Sequence, residues 1–343
     1  MTDSSSVSPR RRTLAQGLLA TLLLLTTGTA VALFLRARPI AEAPAHAFAA
    51  PALASLPALS ACWLEYARND VSGQVSTAGL TRLDHWSVTV AGLLVRHPAG
   101  DVVVDVGNSS HFREEIAGYP LAQRIFLERV PGSNRLVSTA PAALRALGVD
   151  PALLRWVILS HAHVDHAGGL VDLPHAPVLL PRAERAFFAS ARGTIDVVPA
   201  QADALAGRTH ELTFEARPYE NFERSHDVFG DGSVVLVPLS GHTPGSVGTF
   251  VNVSATQRFL HVGDAVNVLE AVERRLTKSI VMTATDHDKP RADKVVAQLA
   301  QLHEHDPAIV ILPAHDRIAW QRVFGAPGRC VEPALVSSQR THE

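Results

Sequence analysis

The apolar run RWVILS ends at Ser160, and the chain continues His161-Ala162-His163-Val164-Asp165-His166-Ala167-Gly168-Gly169. No other feature constrains this chain as strongly. A short loop leaving the C-terminal end of a buried strand aims its side chains into one cleft. Neutral imidazoles with a hard carboxylate at such density form a donor set for a transition metal, Zn²⁺ foremost. The chain has 17 histidines, and their placement carries the functional argument.

Around that loop the pattern alternates between strands and helices. WSVTVAGLLVRH and DVVVDVG read as two strands around the turn HPAGD, and a helical stretch follows from about His111 to Val130. STAPAALRALG and PRAERAFFAS read as helices, and RWVILS and APVLL as strands. Further strands are expected at GDGSVVLVPLS, GTFVNV, RFLHVG and AIVIL, with an amphipathic helix at ADKVVAQLAQLHEH. This order implies an α/β layered sandwich of sheets covered by helices. A net charge of −2 lacks the basic surplus of a nucleic-acid binder, and 47% hydrophobic residues exclude disorder over most of the length.

The N-terminus is of another kind. Residues 1–12 form a short cytoplasmic terminus ending in three arginines, and 13–35 contain no charge over a length able to cross a bilayer as a helix. A retained single-pass anchor places the rest on the periplasmic or extracellular side of the inner membrane; the alternative is an exported soluble protein after signal cleavage. Residues 36–60, rich in Ala and Pro, read as a linker holding the domain 61–343 off the membrane. Cys62 and Cys330 are the chain's two cysteines. They are either unrelated buried thiols or a disulfide staple between the domain's ends.

Three further elements extend the histidine loop: His242 in SGHTPGS, Asp264 in HVGDA and His315 in LPAHD, preceded by Asp105 and Gly107 in VDVG. Together they resemble the metallo-β-lactamase-fold hydrolase superfamily over about residues 85 to 318. The resemblance implies an αββα sandwich, here preceded by the single N-terminal transmembrane helix. It implies one metal on His161, His163 and His242, a second on Asp165, His166 and His315, and Asp264 bridging two zinc ions, other divalent metals being possible. Asp105 is then the residue that buttresses a ligand histidine. His261, His287, His303 and His305 match no ligand position and read as surface or pocket residues, His287 alone near a substrate rim.

The superfamily's members differ in substrate, so the fold does not choose one. True β-lactamases of this fold lack an acidic residue at the position of Asp264, and diiron flavoprotein relatives usually carry Glu at that of His163. Asp264 stands 22 residues after His242, a spacing similar to the acyl-homoserine lactonase branch. The implied reaction opens a lactone or carboxylic ester with a metal-bridging hydroxide, and Asp165 shuttles the proton. Some of those lactonases place Tyr where Asn267 stands, so Asn267 is the candidate donor to the oxyanion. Alternatives are a β-lactamase, a thioester or phosphodiester hydrolase, or a non-catalytic metal-binding receptor or scaffold. The expected partner is a small ester or lactone, with no nucleic acid, and the membrane through the N-terminal helix.

Overall fold

The structure is a computed structural model that describes Thr26 and residues 38–42, 44, 47–51, 53, 55–80, 85–129 and 135–333. The expected membrane span, 13–35, lies outside the described residues apart from Thr26. Among the described residues no helix is long and apolar enough to cross a membrane.

Two sheets form the centre. The first runs β13 (Cys330–Val331), β1 (Ser60–Ser72), β2 (His85–Arg96), β3 (Val102–Val104), β5 (Trp156–Ile158), β6 (Val178–Pro181) and β7 (Thr209–Leu212), with β4 (Arg135–Leu136) pairing β1. The second runs β12 (Ile309–Pro313), β11 (Gln257–Gly263), β10 (Val247–Ser254), β9 (Val234–Pro238) and β8 (His226–Asp227). Their facing sides share one apolar layer that includes Trp63, Leu93, Val104, Leu236, Val251 and Phe259. The outer face of the first sheet packs Leu64, Val157 and Leu180 against Leu144 of α1 (Ala140–Ala146) and Phe188 of α2 (Arg182–Ser190). The outer face of the second packs Phe250, Leu260 and Ile311 against Val296, Leu299 and Leu302 of α3 (Lys289–His305). The expected four-layer α/β sandwich is the observed architecture.

Strand direction places the site. β3 and β5 are parallel, β11 and β12 are parallel, and β9 runs with β11 because each is antiparallel to β10. Asp105, the 160–166 loop, His242, Asp264 and His315 therefore all follow the C-terminal ends of strands that share a direction within their sheet. Val247 N donating to Ser160 O at 2.7 Å and Ala91 N to Ala314 O at 3.2 Å tie the sheets together at that edge.

Several described residues of the Ala/Pro-rich linker segment contact the domain. Ile40 N donates to Arg275 O at 2.7 Å, Thr277 N to Arg38 O at 3.1 Å, and Ala49 and Glu220 exchange backbone hydrogen bonds. Phe48 stacks on His305 with centroids 3.7 Å apart. Most of these contacts are backbone hydrogen bonds, for which an Ala/Pro-rich stretch without periodicity carries no signal. At the other end of the chain Cys62 and Cys330, register partners on β1 and β13, are joined in a disulfide.

Candidate metal centre

The loop after β5 turns sharply at His163 into the short helix Val164–Ala167, which brings Asp165 and His166 back toward the sheet edge. Asp105 holds the loop's entry. Its carboxylate accepts from Ser160 N and Ser160 Oγ, both at 2.7 Å, and from His166 Nδ1 at 2.7 Å. Asp105 sits at φ 57°, an unusual conformation for a non-glycine residue that these bonds over-determine. Before Asp264 the chain needs glycine: Gly263 has φ 52°, and a Cβ there would meet Ser160 Oγ at 2.6 Å.

Two groups of donor atoms result: His161, His163, His242 and Asp264 in one, Asp165, His166 and His315 in the other, with the ligand atoms of each group within 4.8 Å of one another. Asp264 faces both. Its Oδ1 is 3.3 Å from His166 Nε2 and 3.2 Å from His315 Nε2, while its Oδ2 is 3.6 Å from His242 Nε2. His315 Nε2 also lies 3.4 Å from Asp165 Oδ2. His161 Nε2, His166 Nε2 and Asp264 Oδ1 are buried without a hydrogen-bond partner. Orphaned lone pairs converging beside a carboxylate fit divalent cations, since buried polar atoms otherwise find partners.

The electrostatics differ between the groups: burial opposes charge on His166 and His315, but the Asp264 and Asp165 carboxylates beside them raise both above the ordinary histidine range, a positive charge that a bound cation would replace. Burial and neighbouring imidazoles push His161 and His163 well below the ordinary histidine range, into the neutral form that ligates metal. Burial opposes ionisation of Asp264, but His315 and His166 beside it hold its carboxyl well below the usual range.

Several residues outside any motif support the ligands. Glu184 of α2 accepts from Ala162 N at 2.6 Å, Thr243 Oγ1 at 2.9 Å and Gly245 N at 2.8 Å, and Gln201 donates to Ala162 O. The peptide between His161 and His163 is thus clamped from both sides. His242 Nδ1 faces Asp286 Oδ1 at 2.9 Å, and His315 Nδ1 donates to Thr89 O at 2.8 Å. Glu184 lies in an amphipathic helical pattern, Asp286 in the polar stretch TATDHDKP, and only the tertiary structure brings them to the loop.

The remaining candidates fall out differently. Asn267 lines the cavity above the donors, but its amide nitrogen donates to Ser76 O at 3.4 Å, and it is Oδ1 that lacks a partner. The amide is occupied because Ser76 reaches over from the segment after β1. His261 is not a surface or pocket residue: it is fully buried, its Nε2 3.8 Å from Asp105 Oδ2 and its ring against Trp320. β11 is buried over nearly its whole length, so that side chain has no route to solvent. His287 packs edge-on to Phe187 at 5.8 Å. The cavity itself is about 120 Å³, and its apolar wall includes Val71, Val75, Val88, Phe126, Ile195 and Met282.

A four-layer α/β sandwich with paired histidine–carboxylate groups at one sheet edge describes a class of metallo-hydrolase, and the family comparison agrees. The model of the metallo-beta-lactamase superfamily matches residues 87–315, and the chain belongs to that superfamily as one of its hydrolases. The chain is 25% identical to the N-acyl homoserine lactonase AttM of Azorhizobium caulinodans, over 71% of this chain and 88% of that protein. It is 30% identical to the probable metallo-hydrolase Rv2300c of Mycobacterium tuberculosis, over 67% and 75%. Its fold is similar to that of an N-acyl homoserine lactone hydrolase solved with the product N-hexanoyl-L-homoserine at its catalytic metal center, with TM-score 0.58, 18% identity, and 79% and 99% of the two chains covered.

Proposed function

We propose that this hydrolase opens N-acyl homoserine lactones, with two zinc ions held by His161, His163 and His242 and by Asp165, His166 and His315, and shared by Asp264. The supporting observation is Asp264, which presents one oxygen to each histidine group at the floor of an apolar cavity. Two such ions polarise a carbonyl and lower the pKa of water toward neutrality. Asp165, in the cavity wall, takes the proton of the attacking water and returns it to the alkoxide as the ring C–O bond breaks. The apolar wall excludes water from the acyl chain. Asn267 Oδ1 accepts the amide N–H of an N-acyl substrate, satisfying an atom otherwise buried alone.

Turnover of the full chain on N-acyl lactones, aryl esters, thioesters, phosphodiesters and a chromogenic cephalosporin tests this. The expected order puts N-acyl lactones first, because a carboxylate between the metals disfavours the anionic nitrogen left by a β-lactam. Higher catalytic efficiency on the cephalosporin than on every lactone and ester overturns it, and bound metal with no turnover on any of them favours a scaffold.

We further propose that the catalytic domain lies outside the cytoplasm, with residues 13–35 as its membrane anchor. The Cys62–Cys330 disulfide supports an oxidising compartment. A reporter after Glu343 active only in the cytoplasm contradicts this, and a mature N-terminus between Pro44 and Pro51 replaces the anchor by a cleaved signal.

A further inference from the structure

Behind His242 lies a buried ion pair that the reaction above does not use. Lys278 Nζ is 2.5 Å from Asp286 Oδ1, and both side chains are almost wholly buried. The same carboxylate oxygen is 2.9 Å from His242 Nδ1, and the ammonium itself comes within 3.0 Å of that nitrogen. The backbone holds the three together. His287 N donates to His242 O and Asp288 N to Gly241 O, both at 2.9 Å, while the Arg38 guanidinium donates to Lys278 O at 2.8 Å.

The other ligand histidines with assigned partners are backed more simply. His315 meets the neutral Thr89 carbonyl, His161 the Ser160 hydroxyl, His166 the Asp105 carboxylate, and His163 Nε2 lies 3.6 Å from Asp196 Oδ1. Among these, His242 alone has an anion and a cation at once behind its ring. The two charges act on a metal at Nε2 with opposite signs. A carboxylate on Nδ1–H fixes the tautomer and makes the ring a stronger ligand. An ammonium at nearly the same distance from Nδ1 as the carboxylate repels a dication and withdraws charge from that carboxylate.

We propose that Asp286 and Lys278 are positioning residues that set the metal affinity of the His161–His163–His242 group in opposite directions, Asp286 strengthening it and Lys278 limiting it. The inference rests on the two-metal reading given above. It concerns how tightly one ion is held, which matters for a site whose metal must bind firmly and still polarise a substrate oxygen.

The test is zinc affinity by chelator competition on the full chain, for wild type, Asp286→Asn, Lys278→Met and the double variant, with thermal melts to follow folding. Asp286→Asn should weaken the tighter-affected ion by about 10 to 100-fold, the usual cost of losing a ligand's carboxylate partner. Lys278→Met should tighten it by about tenfold, one charge's worth of lost repulsion at this depth. The double variant, which buries no unpaired charge, should fall between the two. If Lys278→Met does not fold, tightening on going from Asp286→Asn to the double variant reads the same effect. Single variants that both weaken zinc, or that leave it unchanged, overturn the proposal and leave a packing pair. Wild type that holds no zinc overturns the two-metal reading itself.

Discussion

The two histidine groups are backed in different ways. Asp165, His166 and His315 contain their own carboxylate and lean on Asp105 and a backbone carbonyl. His161, His163 and His242 are all imidazole apart from Asp264, and their support comes from Glu184, Gln201 and Asp286, which belong to other parts of the chain. A neutral donor group thus draws charge and rigidity from outside its loop, whereas a group containing an anion is organised by one carboxylate at a strand end and one strand carbonyl.

Breaking the link between the groups should have the largest effect. Asp264→Asn is expected to lower lactone turnover on the order of 10³-fold and to remove one of two zinc ions, because the dications then face each other with less negative charge between them. Elemental analysis beside the kinetics checks both. Unchanged stoichiometry would mean that Asp264 does not join the groups.

His161→Ala and His315→Ala separate the groups. Each should retain about one metal, and cobalt substitution should show different visible spectra, since one survivor is bound with the Asp165 carboxylate and the other mainly by imidazole. Identical spectra would argue for one shared site. Asp105→Asn then addresses the backing: the ion at His166 should be held about 10 to 100-fold more weakly with the other little affected. Chelator competition resolving two classes of zinc reads this directly.

The smallest effect concerns Glu184 and is seen in stability. Burial raises its carboxyl to about 7 in the folded chain, although Thr243, Gly245 and Ala162 pull the other way. The folded state therefore keeps a proton there that the unfolded chain releases near its ordinary pKa of 4.5. The stabilisation is full below that value and is lost as pH rises through about 7. In chelator-treated protein the advantage of wild type over Glu184→Gln should shrink between pH 5 and 7 and level off above; a constant difference would contradict the raised pKa.

Legibility in the sequence followed local pattern. β2, β9 and β11 are legible as short β-branched, apolar runs bounded by turn residues, and α3 because its apolar residues recur at helical spacing. β1 is not: Glu65, Arg68, Asn69 and Asp70 interrupt its apolar residues, although 61–67 are all buried. It carries Glu65 into the interior, where Arg68, Thr89 and Arg317 satisfy the carboxylate. Helix Arg317–Phe324 is equally hard to read from the sequence, since its apolar side is defined by Trp63 and Phe259, which pack on it from two sheets.

The sequence by itself determined the family, the four-layer order and the places of the candidate ligands, because each stands in a short motif at a strand end where local chemistry leaves few alternatives. What surrounds them came from tertiary contacts: the Glu184 and Gln201 clamp, the Lys278–Asp286 pair, the amide of Asn267 on Ser76, the burial of His261 and the contacts of Arg38, Ile40, Phe48 and Ala49 with the domain. The physical reason is sequence distance. A buried polar group needs a partner, but neither its own neighbours nor its periodicity say which distant segment the fold will bring to it.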